Sequence, residues 1–430
     1  MNNPVGAIYI RKRTISEWLV AFVFFLPFIQ ALISEFLMLP DVIKFLADVA
    51  LAFVLIKIVL ISREIQINKF FTPFLCIIGV FFSYVIVMYF FNYQSLFYFL
   101  WGLRNYFRFY IAFIAYVIFL KWSDVKNWLK ILDWFYIANF FIVILEFLFG
   151  YRQDYLGGIF GVQKGCNGGL LVFITVIIIK SVLEFMRNEG STIKCLLFSF
   201  MGLLIAALAE LKFFFILFIA VVIISAFITK SSFKKIWFFL FCFVLIVVFS
   251  SALSFMYDEF ERFLSFENLV KLIFNPNYAT KEDIGRFTAI PIISKRFLTS
   301  VPEKLFGMGL GNADSSSVDI FNTPFFDRYG SLHYAIFSYS FLYLETGIVG
   351  LIMYTSFFIV SFAVSLRLFR AKKADELICQ IAMILSVICI MLMFYNISLR
   401  SEISAYLVYF VLALPLISSV AVRPAEETKI

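Results

Sequence analysis

The sequence predicts an all-α, polytopic membrane protein of about 12 transmembrane helices with one large external loop that holds short helices. Hydrophobic residues make up 63% of the chain and charged residues 15%. The apolar residues fall in runs of roughly 16 to 30. In hydrocarbon about 20 make one helical span, because each backbone polar group must be satisfied within its own segment. The stretch from Tyr257 to Leu332 is the only long polar interval.

In chain order the runs lie near 16–34, 41–61, 70–91, 105–120, 131–149, 168–186, 195–211, 213–229, 236–256, 334–366, 377–397 and 403–421. The seventh and eighth are separated only by Glu210, Leu211 and Lys212. Read as one helix they would overrun a bilayer of roughly 30 Å and place every later loop on the wrong side. Lys and Arg are retained on the cytoplasmic side. They cluster at Arg11–Arg13 and then in alternate loops, among them Lys121, Lys126 and Lys130, then Lys180, Arg187 and Lys194, and Arg367, Arg370, Lys372 and Lys373. Both termini are therefore expected in the cytoplasm and the long interval outside. The chain divides into helices one to nine (1–256), the large external loop (257–332), and helices ten to twelve with a cytoplasmic tail (333–430). The first run is long and no small-residue cleavage site follows it, so no cleavable signal is read.

The net charge of +8 is spread as one small basic cluster per loop. Such dispersed charge sets topology and excludes nucleic acid as a partner. The six cysteines mostly fall within spans and none lies in the long loop, which excludes a disulfide-stapled external domain. No Cys or His cluster has metal-ligand spacing, and no cofactor is implied. The 60 phenylalanines read as lipid-facing.

Several basic residues face outward against the charge rule, including Arg104, Arg108, Arg152, Lys164, Lys212, Arg286, Lys295, Arg296 and Arg400. Such residues snorkel to headgroups, pair with acids such as Asp154, Asp283 and Glu402, or bind an anion. Lys212 has almost no loop around it and must face the interior, pair with Glu210 or line an aqueous cavity. Arg152 and Lys164 bracket Gly157, Gly158, Gly161 and Gly165, and a glycine-rich backbone lets N–H groups approach an anion.

Within the long loop, Asp258 to Phe274 reads as an amphipathic helix stopped by Asn275-Pro276. Thr280-Lys-Glu-Asp283 resembles a capping box that opens a second segment with Arg286, Lys295 and Arg296, limited by Pro291. Phe306-Gly-Met-Gly-Leu-Gly-Asn312 has the wrong spacing for a dinucleotide fingerprint. His333, the sole histidine, stands where the loop re-enters the membrane, a position for a general base near neutral pH. Clustered guanidinium groups suit phosphate oxygens bidentately.

These residues resemble the bacterial O-antigen ligase and Wzy-type polymerase superfamily. The matching segments are Asp283-Ile-Gly-Arg286, Arg296 and Gly307 separated by ten residues, Leu305-Phe-Gly-Met-Gly-Leu-Gly311, and His333-Tyr-Ala-Ile leading into Leu344-Glu-Thr-Gly-Ile-Val-Gly350. Arg152 through Gly161 to Asn167, and Lys212, also fall where family members place an Arg-Gly-Asn loop and a basic residue. The motif match covers about 150–350, and Tyr334 departs from the Asn that many relatives carry after the His.

The resemblance implies an inner-membrane glycosyltransferase with a periplasmic loop, acting on undecaprenyl-diphosphate-linked oligosaccharides among membrane lipids. A chain-length regulator and a flippase are the protein partners it implies. Arg286, Arg152, Lys212 and Arg296 would hold the diphosphate, and Arg286 and His333 would be catalytic, with His333 deprotonating the acceptor hydroxyl. Polymerase is favoured over WaaL-type ligase because Phe-rich composition suits the AT-rich genes of surface-polysaccharide clusters. Two other classes compete. A lipid-linked oligosaccharide flippase or twelve-helix carrier would show paired halves and a larger central loop. A glycosyltransferase using a carboxylate base would employ Glu35 or Asp41 in the first external loop.

Overall fold

The computed structural model describes residues 14–36, 43, 45–63, 68–229, 233–256, 284–316 and 321–422. Among these residues there are helices and no strands. Twelve helices of 16 residues or more follow the twelve apolar runs: α1 (Ile15–Phe36), α2 (Phe45–Leu60), α3 (Thr72–Phe91), α4 (Leu96–Phe119), α5 (Trp122–Leu148), α6 (Asn167–Met186), α7 (Thr192–Leu208), α8 (Lys212–Ile228), α9 (Phe233–Met256), then α13 (Ser338–Arg370), α14 (Glu376–Tyr395) and α15 (Glu402–Val422). Among the described residues between α9 and α13 lie three short helices, α10 (Ala289–Arg296), α11 (Val301–Phe306) and α12 (Pro324–Tyr329). Among the described residues six helices, α3, α5, α6, α13, α14 and α15, are long and apolar enough to cross a membrane.

Residues 195–229 form two helices, with Glu210 in the left-handed region at φ 53° making the turn between α7 and α8. Two helices begin well before their apolar runs. α4 starts at Leu96 because Asn105 and Arg108 are buried among other elements and do not end the helix. α5 starts at Trp122, and the polar residues of its first turns lie on faces that α1 and α15 leave uncovered while Trp128 stacks on Phe24 at 4.7 Å. The phenylalanines only partly face lipid. Phe24, Phe74, Phe113, Phe357 and Phe410 are fully buried and interlock ring on ring, while Phe53, Phe90, Phe91 and Phe227 are exposed. Lipid is as apolar as these side chains, so close packing rather than water exclusion favours rings at the interfaces between helices.

α6 is almost wholly buried, enclosed by α7, α8, α14 and α15. One end of the bundle gathers the turns 92–95, 149–166, 209–211 and 396–401 together with 284–316 and 321–337. The other end gathers the turns 68–71, 187–191 and 371–375, where Arg187 pairs with Glu376 at 3.0 Å, Lys180 with Asp133 at 2.7 Å, and Asn68 donates to Ser419.

The expected amphipathic helix at 258–274 and the capping box at 280–283 lie outside the described residues. Arg286 sits in a turn ahead of α10, not within it, and Pro291 falls in the first turn of α10, where its missing N–H costs nothing. The alternating glycines of 307–311 form a backbone wedge against a kink in α13. Gly347 breaks that helix at φ 63°, and the N–H groups of Met308 and Gly309 donate to the carbonyls of Leu344 and Glu345. The stretch after the kink, 348–370, is long enough to span by itself. Gly311, at φ 89°, brings the wedge against α4, where an added Cβ would stand 2.1 Å from the Tyr98 carbonyl oxygen. We expect Gly311→Ala to lower stability by at least about 1–3 kcal/mol from strain alone, with the clash in addition. Thermal unfolding of the protein in detergent measures this, and an unchanged midpoint would refute the packing.

Candidate functional site

A cavity of 540 Å³ opens at the end that gathers 284–316 and 321–337. Its walls come from the start of α6 (Asn167 to Gly169), the α7–α8 turn (Glu210, Leu211), the segment 284–286, His333 with Ile336 and Phe337, and Tyr395 to Ser398. Two of the sequence candidates, Arg286 and His333, therefore line one space. What joins them is a backbone bond across the long loop, Ile284 N–H donating to the Leu332 carbonyl at 3.2 Å.

Arg286 is half-buried and its guanidinium lies over the ring of Tyr395, 4.5 Å from the centroid, with Phe337 at 5.6 Å. The Tyr339 hydroxyl donates to its carbonyl. Stacking fixes the plane of the guanidinium. His333 is exposed and occupies the left-handed region at φ 55°, between the two short 3₁₀ turns 330–332 and 334–336. His tolerates this conformation better than most residues, but it still costs energy, and such outliers concentrate at functional sites.

Two helix starts turn toward the same space, those of α6 and α8. A helix N-terminus carries partial positive charge and so favours an anion, although here the N–H groups of Gly168, Gly169 and Lys212 already donate to the carbonyls of Gly165, Cys166 and Glu210. The walls around α6 are fixed: Ser398 donates to the Gly168 carbonyl at 3.0 Å, and Asn167 donates to Asp154 at 2.9 Å. Lys212 forms a 2.8 Å ion pair with Glu210, which itself lines the cavity. Pairing with Glu210 was one of the three outcomes expected for that lysine.

Arg152 and Arg296 are not brought to this cavity. Arg152 donates to the carbonyls of Phe147 and Tyr151 at 2.6 and 2.7 Å and lies over the Phe147 ring. Arg296 is exposed beside Phe297 and Tyr329. The glycine-rich loop is also turned inward in part. The N–H groups of Gly158 and Ile159 donate at 2.9 Å to buried Glu146 and Asn139, so these two groups serve the fold rather than an anion; Gly165 alone of the four loop glycines lines the cavity. Tyr334, the residue that departs from the family pattern, is buried with its hydroxyl donating to the Ala313 carbonyl at 2.6 Å. Burial pushes its phenol well above the usual range, so it remains a donor that anchors the turn carrying His333.

Sequence reasoning missed a second polar cluster beside this site. Arg104 bonds Asp48 at 2.8 Å and pairs with Glu402 at 3.0 Å, Arg108 pairs with Glu402, and Arg400 pairs with Asp314. Glu402 had been named as an acid available for pairing, but Asp48 and Asp314 carry no local signal. Burial works against the Arg400 charge, yet Asp314, Tyr106 and Glu345 outweigh it and hold the guanidinium above its ordinary range. The i, i+4 spacing of Arg104 and Arg108 was the available clue, since it puts both on one face of α4. Glu345, inside the kinked part of α13, accepts from the N–H groups of Gly311 and Ala313 at 2.9 and 3.3 Å, which ties the glycine wedge to the same cluster.

These features define a helical membrane protein with a polar, partly aromatic-walled cavity at one end of its bundle, where Arg286 and His333 share the wall with the carboxylates Asp154 and Glu210. No protein-family model matches the chain, and no curated protein matches it.

Proposed function

We propose that the protein is a glycosyltransferase of the O-antigen polymerase type, at the outer face of the bacterial inner membrane. In this reading it transfers a glycan from an undecaprenyl-diphosphate carrier to the next lipid-linked repeat unit. The observation that carries the reading is the meeting of Arg286, His333 and the starts of α6 and α8 around one cavity. Arg286 and the helix starts bind the diphosphate and stabilise the charge that develops as the carrier leaves. His333, on the rim, takes the proton of the attacking sugar hydroxyl. The hydroxyl oxygen bonds to the anomeric carbon from the side opposite the diphosphate, which inverts that centre. The Glu210–Lys212 pair adds a charge-neutral edge to the cavity. Arg152 and Arg296 take no part in the step.

The direct test supplies purified protein in detergent with undecaprenyl-diphosphate repeat units and excess EDTA. Release of undecaprenyl diphosphate with growth of the glycan is the expected result, without nucleotide or ion gradient. Transfer that begins only when lipid A-core is added would replace polymerase by ligase, and no transfer with either acceptor would refute the reading.

Topology is tested separately. With all 12 long helices spanning and the termini cytoplasmic, the cavity end faces outward. In a background lacking the native cysteines, Tyr93→Cys and Lys304→Cys should react with an impermeant thiol reagent on intact cells, and Glu189→Cys and Lys372→Cys should not. Labelling of Glu189→Cys from outside would overturn this orientation.

A further inference from the structure

Two smaller cavities, of 320 and 240 Å³, flank the segment Arg400-Ser401-Glu402. Ser401 also lines the Arg286 cavity, so the three spaces adjoin. Around the smaller two, Arg104, Arg108 and Arg400 are matched by Asp48, Asp314 and Glu402, three cations against three carboxylates. Asn105 extends the network by donating to Asp314 at 2.7 Å.

Burying such a network contributes little stability compared with apolar packing. The cluster therefore calls for a role beyond holding helices together. Its balance of charge makes it a poor trap for an ion of either sign. Its wall instead alternates fixed donors and fixed acceptors, and a ligand must offer both within a small volume. Hydroxyl groups do so, each donating once and accepting twice. Each wall also holds a buried donor with no partner among the described residues, Trp101 Nε1 in the 240 Å³ cavity and Arg108 Nε in the 320 Å³ cavity. A buried donor left unpaired is costly, and a ring or hydroxyl oxygen would relieve it. Volumes of this size lie at or below the lower end for small-molecule sites and suit a sugar unit, not a polyprenyl chain.

We propose that these two cavities form a subsite for an uncharged, polyhydroxylated saccharide, the acceptor end of the glycan, held beside the diphosphate cavity. The inference rests on the glycosyltransferase reading for the word acceptor, and on the geometry alone for the sugar.

The test uses full-length protein in detergent and two probes. One is the free oligosaccharide released by mild acid from the producing strain's lipid-linked repeat unit, and the other is undecaprenyl diphosphate. Trp101→Phe keeps an aromatic ring and deletes the indole N–H, and Arg108→Lys keeps the charge and deletes the Nε donor. Each should weaken oligosaccharide binding by about 10-fold, the scale of one lost hydrogen bond, and leave undecaprenyl diphosphate binding within about 2-fold. Arg286→Lys should do the converse. Unchanged oligosaccharide binding in both variants overturns the subsite, as does wild-type protein that binds undecaprenyl diphosphate but not the oligosaccharide. Protein that binds the oligosaccharide but not undecaprenyl diphosphate would keep the subsite and sink the glycosyltransferase reading. Thermal unfolding of both variants at the wild-type temperature separates lost binding from lost fold.

Discussion

Arg286→Lys should reduce glycan transfer by about 100-fold or more, although it keeps the charge, because a preorganised donor to a leaving group is worth that much. The guanidinium is planar and stacks over Tyr395, which presents a fixed edge with paired donors to a diphosphate. A lysine ammonium is a strongly hydrated point charge that neither stacks flat nor bonds bidentately. The structure supplies the controls. Arg152 is committed to the carbonyls of Phe147 and Tyr151, and Arg296 stands beside Tyr329, so Arg152→Lys and Arg296→Lys should stay within about 3-fold, as expected for exposed charges. Undecaprenyl diphosphate release and polymer length on gels report all three. Wild-type transfer by Arg286→Lys would remove that residue from the site, and a large loss in Arg296→Lys would show that the cavity is drawn too small.

The reach of sequence reasoning differs between the fold and the site, for physical reasons. Hydrophobic runs encode helices directly, since length and apolarity are both local, and so each of the twelve runs is a helix, including the pair split at Glu210. Helix starts were less legible. Arg104, Asn105 and Arg108 interrupt the apolar pattern of α4, yet they point at Asp48, Asp314 and Glu402 from distant parts of the chain. A hydropathy window sees their polarity and cannot see their partners.

The site follows the same division. Arg286 and His333 stood out as an arginine and a sole histidine, but their meeting depends on the Ile284 to Leu332 bond. The glycine-rich loop misled in part, because the pattern that would cradle an anion also fits a loop tied down by Asn139 and Glu146. Glu345 and Asp314 gave no signal, since a lone carboxylate in an apolar run or a polar loop looks ordinary until its partners are known.

His333 admits two roles that substitution can separate. As the general base it should be irreplaceable, and proton transfer by a positioned side chain is worth about 100-fold or more. As a turn residue it should be replaceable by whatever accepts φ 55°. Alanine fails both requirements, since it is neither basic nor at ease in the left-handed region. Glycine meets the second without strain, and asparagine meets it nearly as well as histidine. His333→Ala, His333→Gly and His333→Asn should therefore all lose about 100-fold in kcat if proton transfer is the role. The affinity for lipid-linked substrate should change little, because Arg286 and the helix starts hold the diphosphate. Stability should follow a different order, with His333→Gly and His333→Asn near wild type and His333→Ala lower by about 1 kcal/mol or more. Activity that follows stability instead, restored to within a few-fold in the glycine and asparagine variants, would make His333 a backbone device and leave the base to be sought among Glu210 and Asp154, the carboxylates that line the same cavity.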